Sequence, residues 1–201
     1  MTTIASALLI CLPCLSTPPQ KLRIEIAVDG VTPPPRFLAA AIEEAADIWA
    51  AYGVKIQSPG THDAGHDGAV RLLVKVAPSA NKHAQAGALG SIAFTGDAPE
   101  PTIELYPAAA SALIAAVAFN RREDGWPAAA QDRILARVLG RALAHEVGHF
   151  LLRSKTHSTQ GLMRAEHGGA ALMAPDHRGF SLSADDVRRF RAVLALPPAK
   201  G

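Results

Sequence analysis

Residues 145–157 read HEVGHFLLRSKTH and hold three of the chain's eight histidines. Four residues along an α-helix advance about 6 Å and return to within about 40° of the starting direction. His145 and His149 therefore leave one helix face together, where their imidazole nitrogens can grip a single ion. Glu146 stands about 100° around from His145, too far off that line to ligate yet close enough to reach a water beside the ion. Neutral imidazoles that hold a metal, with a carboxylate to move a proton, are the ingredients of metal-assisted hydrolysis.

A catalytic zinc ion commonly takes three protein ligands and leaves its fourth position open. His157 leads as the third ligand, with Glu166, His167 and Asp176 as rivals. A helix that simply continued would carry His157 about 12 Å beyond His149. The chain must therefore leave the helix after about Leu152 and fold back, although RSKT (153–156) offers neither Gly nor Pro for the turn. His62 and His66, each followed by an aspartate, could form a second metal site. Loop histidines beside Asp and Gly are more often simply solvated.

The surrounding pattern supplies elements to position these groups. Leu22, Ile24 and Ile26 alternate with Arg23 and Glu25, which predicts a strand closed by Gly30. Phe37, Leu38, Ile42, Ala45, Ile48, Trp49 and Tyr52 recur at three- and four-residue steps, an amphipathic helix stopped at Gly53. Strands come next at 54–57 and in AVRLLVKVAP (69–78), the second apolar enough to be central. ALGSIAF (88–94) and TIELY (102–106) read as two short strands joined by the turn-rich TGDAPEP (95–101). Pro107 and Pro127 each open an Ala-rich helix, and the second runs into the histidine motif. There Ile134, Val138, Leu143, Val147 and Leu151 recur at helical spacing, so the motif sits on a buried, amphipathic helix. An irregular stretch (160–180) precedes a last helix capped by Ser183, with Asp185 and Asp186 in its first turn. The expected fold class is α+β: a small mixed, twisted sheet packed on a long helix and on the histidine-bearing helix, then a C-terminal helix.

Composition narrows the partners. The chain has 201 residues, 49% of them apolar and 19% charged, which suits one globular domain with a sizeable core. Its formal net charge is +2 without a basic stripe, which argues against nucleic acid. Cys11 and Cys14 form a C-x-x-C pair but lack the further ligands or folded context that zinc or redox chemistry needs. They lie in the apolar run 4–15, too short to span a bilayer and succeeded by LSTPPQ. Residues 1–19 therefore read as a signal peptide, though without a basic start, and 20–201 as one domain. The expectation is a secreted or periplasmic protein with no membrane span after leader removal.

The segment HEVGHFLLRSKTHSTQGLM (145–163) resembles the active-site region of the metzincin zinc metallopeptidases, whose pattern is H-E-x-x-H-x-x-G-x-x-H and then a methionine turn. The resemblance implies a zincin-like domain similar to a minimal matrixin catalytic core. It implies one catalytic Zn2+ on His145, His149 and His157, Glu146 as general base, and Met163 in the turn beneath the metal. Met173 in GGAALMAPD is a second candidate for that turn. Two departures stand out: Leu152 replaces the family's glycine, and the third histidine falls eight residues after the second instead of six. No tyrosine comes after the methionine to assist an oxyanion, as it does in some members. The function implied is a zinc-dependent endopeptidase, acting as a monomer on a peptide or protein bound extended along an edge strand, with 88–94 the candidate. The alternative is a zinc-containing peptide-binding or inhibitory module on the same fold without turnover. A third reading is a zinc hydrolase with an acidic third ligand such as Glu166.

Overall fold

The computed structural model describes residues 22–29, 36–58, 69–80, 87–121 and 126–195. Cys11, Cys14, His62 and His66 lie outside the described residues, as does the apolar run 4–15. Within them the chain is a mixed α+β domain with five strands and five helices. Strands β1 (Leu22–Asp29), β2 (Val54–Gln57), β3 (Val70–Val76), β4 (Gly90–Thr95) and β5 (Ala98–Leu105) form one sheet in the order β2-β1-β3-β5-β4. All neighbours are parallel except β4, which runs antiparallel to β5 and lies at the end of the sheet among the described residues. As its apolar run predicts, β3 is central.

Alternation decides which side of the sheet is dry. Ile24, Ile26, Leu72, Val74, Ile103 and Leu105 are fully buried on one face. On adjacent strands Arg71 pairs with Glu25 at 3.3 Å, a register of opposite charges on the wetter face. Helix α1 (Arg36–Ala50) connects β1 to its parallel neighbour β2 and packs on α3 (Ala128–Leu152), the longest helix described. At their closest approach a methyl group on Gly140 would come within 2.7 Å of the Ala41 carbonyl oxygen, so only glycine lets the two backbones meet there. Trp49, fully buried on α1, donates its indole N–H to the Ala144 carbonyl at 2.9 Å, one residue before His145. The histidine helix is thus pinned from below at the point where its chemistry begins.

Helices α2 (Pro107–Arg121) and α5 (Ala184–Leu194) complete the predicted order, α5 with the Ser183 side chain accepting from the Asp186 amide at 3.1 Å. Three details differ from expectation. Strand β5 begins at Ala98, so APEP is strand and the turn shrinks to Gly96-Asp97. Pro99 and Pro101 are tolerated because β3 pairs only with Thr102–Leu105, which leaves this half of β5 with β4 alone as a neighbour. Pro127 sits at the cap of α3 in extended conformation, one place before the first helical residue. The irregular stretch also contains a short helix, α4 (Gly169–Met173). Among the described residues no helix is long and apolar enough to cross a membrane.

Candidate metal centre

The turn after α3 settles where His157 goes. Arg153 closes the helix in the left-handed conformation (φ 49°, ψ 45°), the only positive-φ residue among the described non-glycines. Its amide and that of Ser154 return to the carbonyls of Phe150 and His149, which satisfies the helix end as a glycine cap normally does. For an L-residue that geometry costs about 1–2 kcal/mol. The chain then reverses, and the Nε2 atom of His157 lies 3.3 Å from that of His149, itself 3.0 Å from His145 Nε2. The ligand atoms of all three rings lie within 4.8 Å of one another.

The other ring nitrogens show how these atoms are aimed. His145 Nδ1 donates to the Leu162 carbonyl at 2.8 Å, and His149 Nδ1 donates to the Ser154 carbonyl at 2.6 Å. A carbonyl oxygen only accepts, so each Nδ1 must carry the proton and each Nε2 presents a lone pair. Lone pairs converging at about 3 Å repel unless a cation sits among them. The three histidines therefore can hold a metal ion. Rings arranged merely to satisfy one another would need a proton on one of these Nε2 atoms.

Burial reinforces the neutral forms. Desolvation, helped by neighbouring rings, lowers His145 from 6.5 to about 3 and also lowers His149; at His167 desolvation is helped instead by Arg164 and Arg141. Glu146 is almost completely buried, and desolvation raises it from 4.5 to about 8 against the opposing hydrogen bond from the Ile92 backbone. The depressed histidines lose stabilisation as pH falls below about 6.5, because the unfolded chain takes up protons that the folded one refuses. Glu146 acts in the opposite direction: folding favours its protonated form, and that contribution fades as pH rises from 4.5 through about 8. Three histidines outweigh one glutamate in the window they share. The metal-free chain should therefore be most stable near pH 6.5, with the steeper loss on the acid side, measurable as thermal midpoints of chelator-treated protein.

Support comes from α5 and from the loop 158–164. Ser158, next to His157, bonds the Met163 carbonyl through its amide and both Asp186 carboxylate oxygens through its hydroxyl, at 2.8 and 2.7 Å. Asp186 is 2% exposed and also receives the Ser183 hydroxyl. Its pattern of an acid in a first helical turn predicts only capping, so its second task of tying down the segment after His157 went unforeseen. Asp186→Ala should weaken metal binding by about tenfold, the lower end of what supporting partners of metal ligands contribute, and should also lower the thermal midpoint. Chelator competition would measure the first effect; unchanged affinity would reduce Asp186 to a cap.

Met163 is buried against α3: a methyl group on Gly148 would lie 2.3 Å from its sulfur. Met173 sits instead in α4. The rival ligands do not join the cluster. Glu166 is exposed, His167 stacks on the Phe180 ring at 4.6 Å, and Asp176 pairs with Arg178. Arg141, one helical turn before His145 and buried, was also missed. It bonds Glu44 at 2.8 Å and the carbonyls of Ala171, Ala174 and Asp176, and its guanidinium lies 4.4 Å over Phe180. It thereby fastens the segment that walls the site.

The three histidines and Glu146 line a cleft of about 530 Å³, bordered by residues 87–92 and Phe94 on the β4 side, by Leu113, and by 164–167 and Leu172 opposite. The outer edge of β4 thus runs along the same cleft. No protein-family model matches the chain, and no curated protein sequence matches it.

Proposed function

We propose that the chain is a zinc-dependent endopeptidase of the metzincin kind. The observation that carries this reading is the convergence of three imidazoles, with His145 and His149 held to present their Nε2 atoms, beside a buried glutamate and the outer edge of β4. Zinc–nitrogen bonds of about 2.0–2.1 Å in tetrahedral geometry separate the nitrogens by about 3.3 Å. Two of the three separations, 3.0 and 3.3 Å, are close to that value, and the third is within 4.8 Å. An all-imidazole donor set suits zinc better than the hard, oxygen-seeking cations. His145, His149 and His157 would hold the ion, and Met163 would form the floor behind Gly148.

A zinc ion bound there supplies positive charge that acidifies a water and polarises a carbonyl. The remaining work belongs to the chain's own residues. Glu146, held at the cleft wall by the Ile92 amide, accepts a proton during attack and returns it to the leaving amine. A cation at the histidines would favour its carboxylate form and offset the effect of burial. Backbone groups on the β4 edge pair with an extended peptide regardless of its sequence.

The test is hydrolysis of an unstructured protein such as casein by the purified chain. Hydrolysis should stop with a chelator and return with zinc. Stoichiometric zinc with no hydrolysis of any peptide would leave a binding module on the same fold, and no metal binding would end both readings.

A further inference from the structure

Lys155 stands on the loop between His149 and His157, and its ammonium group crosses to the hairpin that ends β4. It donates to the Gly96 carbonyl at 2.5 Å, lies 3.8 Å from the Asp97 carboxylate, and sits 5.3 Å from the centre of the Phe94 ring. Lys155 and Phe94 both line the cleft that holds the histidines and Glu146. Nothing in the metal centre uses this cation.

Its position along the strand can be read from three neighbours. A methyl group on Gly90 would touch Glu146 at 3.4 Å, the Ile92 backbone bonds Glu146, and Phe94 meets Lys155. Strands rise about 3.3 Å per residue, so Lys155 lies about 7 Å beyond the glutamate, roughly two residues along a peptide paired with β4. Its present partners are weakly held. Its side chain is half exposed, and Asp97 is fully exposed; pairs of that kind contribute little. A carboxylate arriving in the cleft offers a charged acceptor in place of the neutral Gly96 carbonyl, while the Phe94 face steadies the ammonium. The other cleft cations differ in situation. Arg141 is engaged with Glu44, and Arg164 is on the opposite wall beside Glu166.

Resting on the peptidase reading, we propose that Lys155 is a specificity-determining residue that selects an aspartate or glutamate about two residues from the cleaved bond, on the Phe94 side. The test uses quenched fluorogenic peptides that carry Glu, Gln or Lys at each of three positions on either side of the cleaved bond. One position should favour Glu over Gln by about fivefold in kcat/KM, mainly through KM, with Lys poorest. Lys155→Gln should collapse that ratio, Lys155→Glu should reverse it, and Lys155→Arg should keep it. Peptide binding to the zinc-loaded Glu146→Gln protein, measured by fluorescence anisotropy, should show the same ranking. Cleavage without charge preference overturns the assignment. So does a Lys155→Gln protein that slows every peptide by one factor and keeps the ratio, as a purely structural staple would. If the wild type cuts none of the peptides and the Glu146→Gln protein binds none, the peptidase reading itself falls.

Discussion

His157→Ala is expected to release the metal while leaving the fold intact. His157 is exposed, unlike buried His149, so its removal opens no core cavity. The same change takes one of three ligands. Loss of a mere supporting partner costs about 10–100-fold in metal affinity, and loss of a ligand should exceed that, at about a thousandfold or more. Metal content by elemental analysis, with chelator competition for affinity, would measure it beside Glu166→Ala, His167→Ala and Asp176→Ala. Those three should keep their metal, because none of them joins the cluster. Retention of full metal by His157→Ala, or loss only in Glu166→Ala, would reject the three-histidine centre.

That expectation turns on a feature the sequence hides. The helix face shared by His145 and His149 is dictated by spacing alone, and so is the buried stripe through Val138, Leu143 and Val147. The path of the chain beyond Leu152 is not. A reversal is normally signalled by a glycine at the left-handed position, and here an arginine takes it. No rule of composition marks an L-residue that occupies this conformation because its surroundings outweigh the cost. Only the need for a third ligand pointed to the turn. Arg141 and Asp186 were hidden for a related reason. Arginine and aspartate are exposed by default, and a buried one shows itself only when remote partners such as Ala171, Asp176 or Ser158 are brought alongside. Periodicity records a residue's relation to its own helix, whereas these two act between elements distant in sequence.

The edge strand shows the complementary case. GSIAF has no distinctive pattern, and 88–94 is a candidate edge only as the place where an extended substrate would pair under the peptidase resemblance. Among the described strands β4 does lie at the end of the sheet, beside β5. The length of β5 could not be read in the same way, because prolines that usually end a strand are harmless where only one neighbour pairs.

Glu146→Gln should separate binding from turnover. Glutamine matches glutamate in size and keeps an oxygen for the Ile92 amide, so the cleft wall should hold its shape. Glu146 is not among the three clustered ligands, so metal content should stay at the wild-type level. The amide cannot take up a proton, and a positioned base contributes about 10²–10⁴-fold, so casein hydrolysis should fall by about a thousandfold. The same variant carries a second signature that a bystander would lack. Burial makes the wild-type carboxylate costly above about pH 8, whereas glutamine has no charge to bury. The metal-free variant should therefore be more stable than metal-free wild type at pH 9, and the gap should close as pH falls toward 4.5 and the wild-type carboxyl is protonated in both states. A group kept at the expense of stability and required for turnover is what a catalytic base looks like in a fold. Hydrolysis above a tenth of the wild-type rate would remove Glu146 from that role, and loss of metal would make it part of the binding site instead.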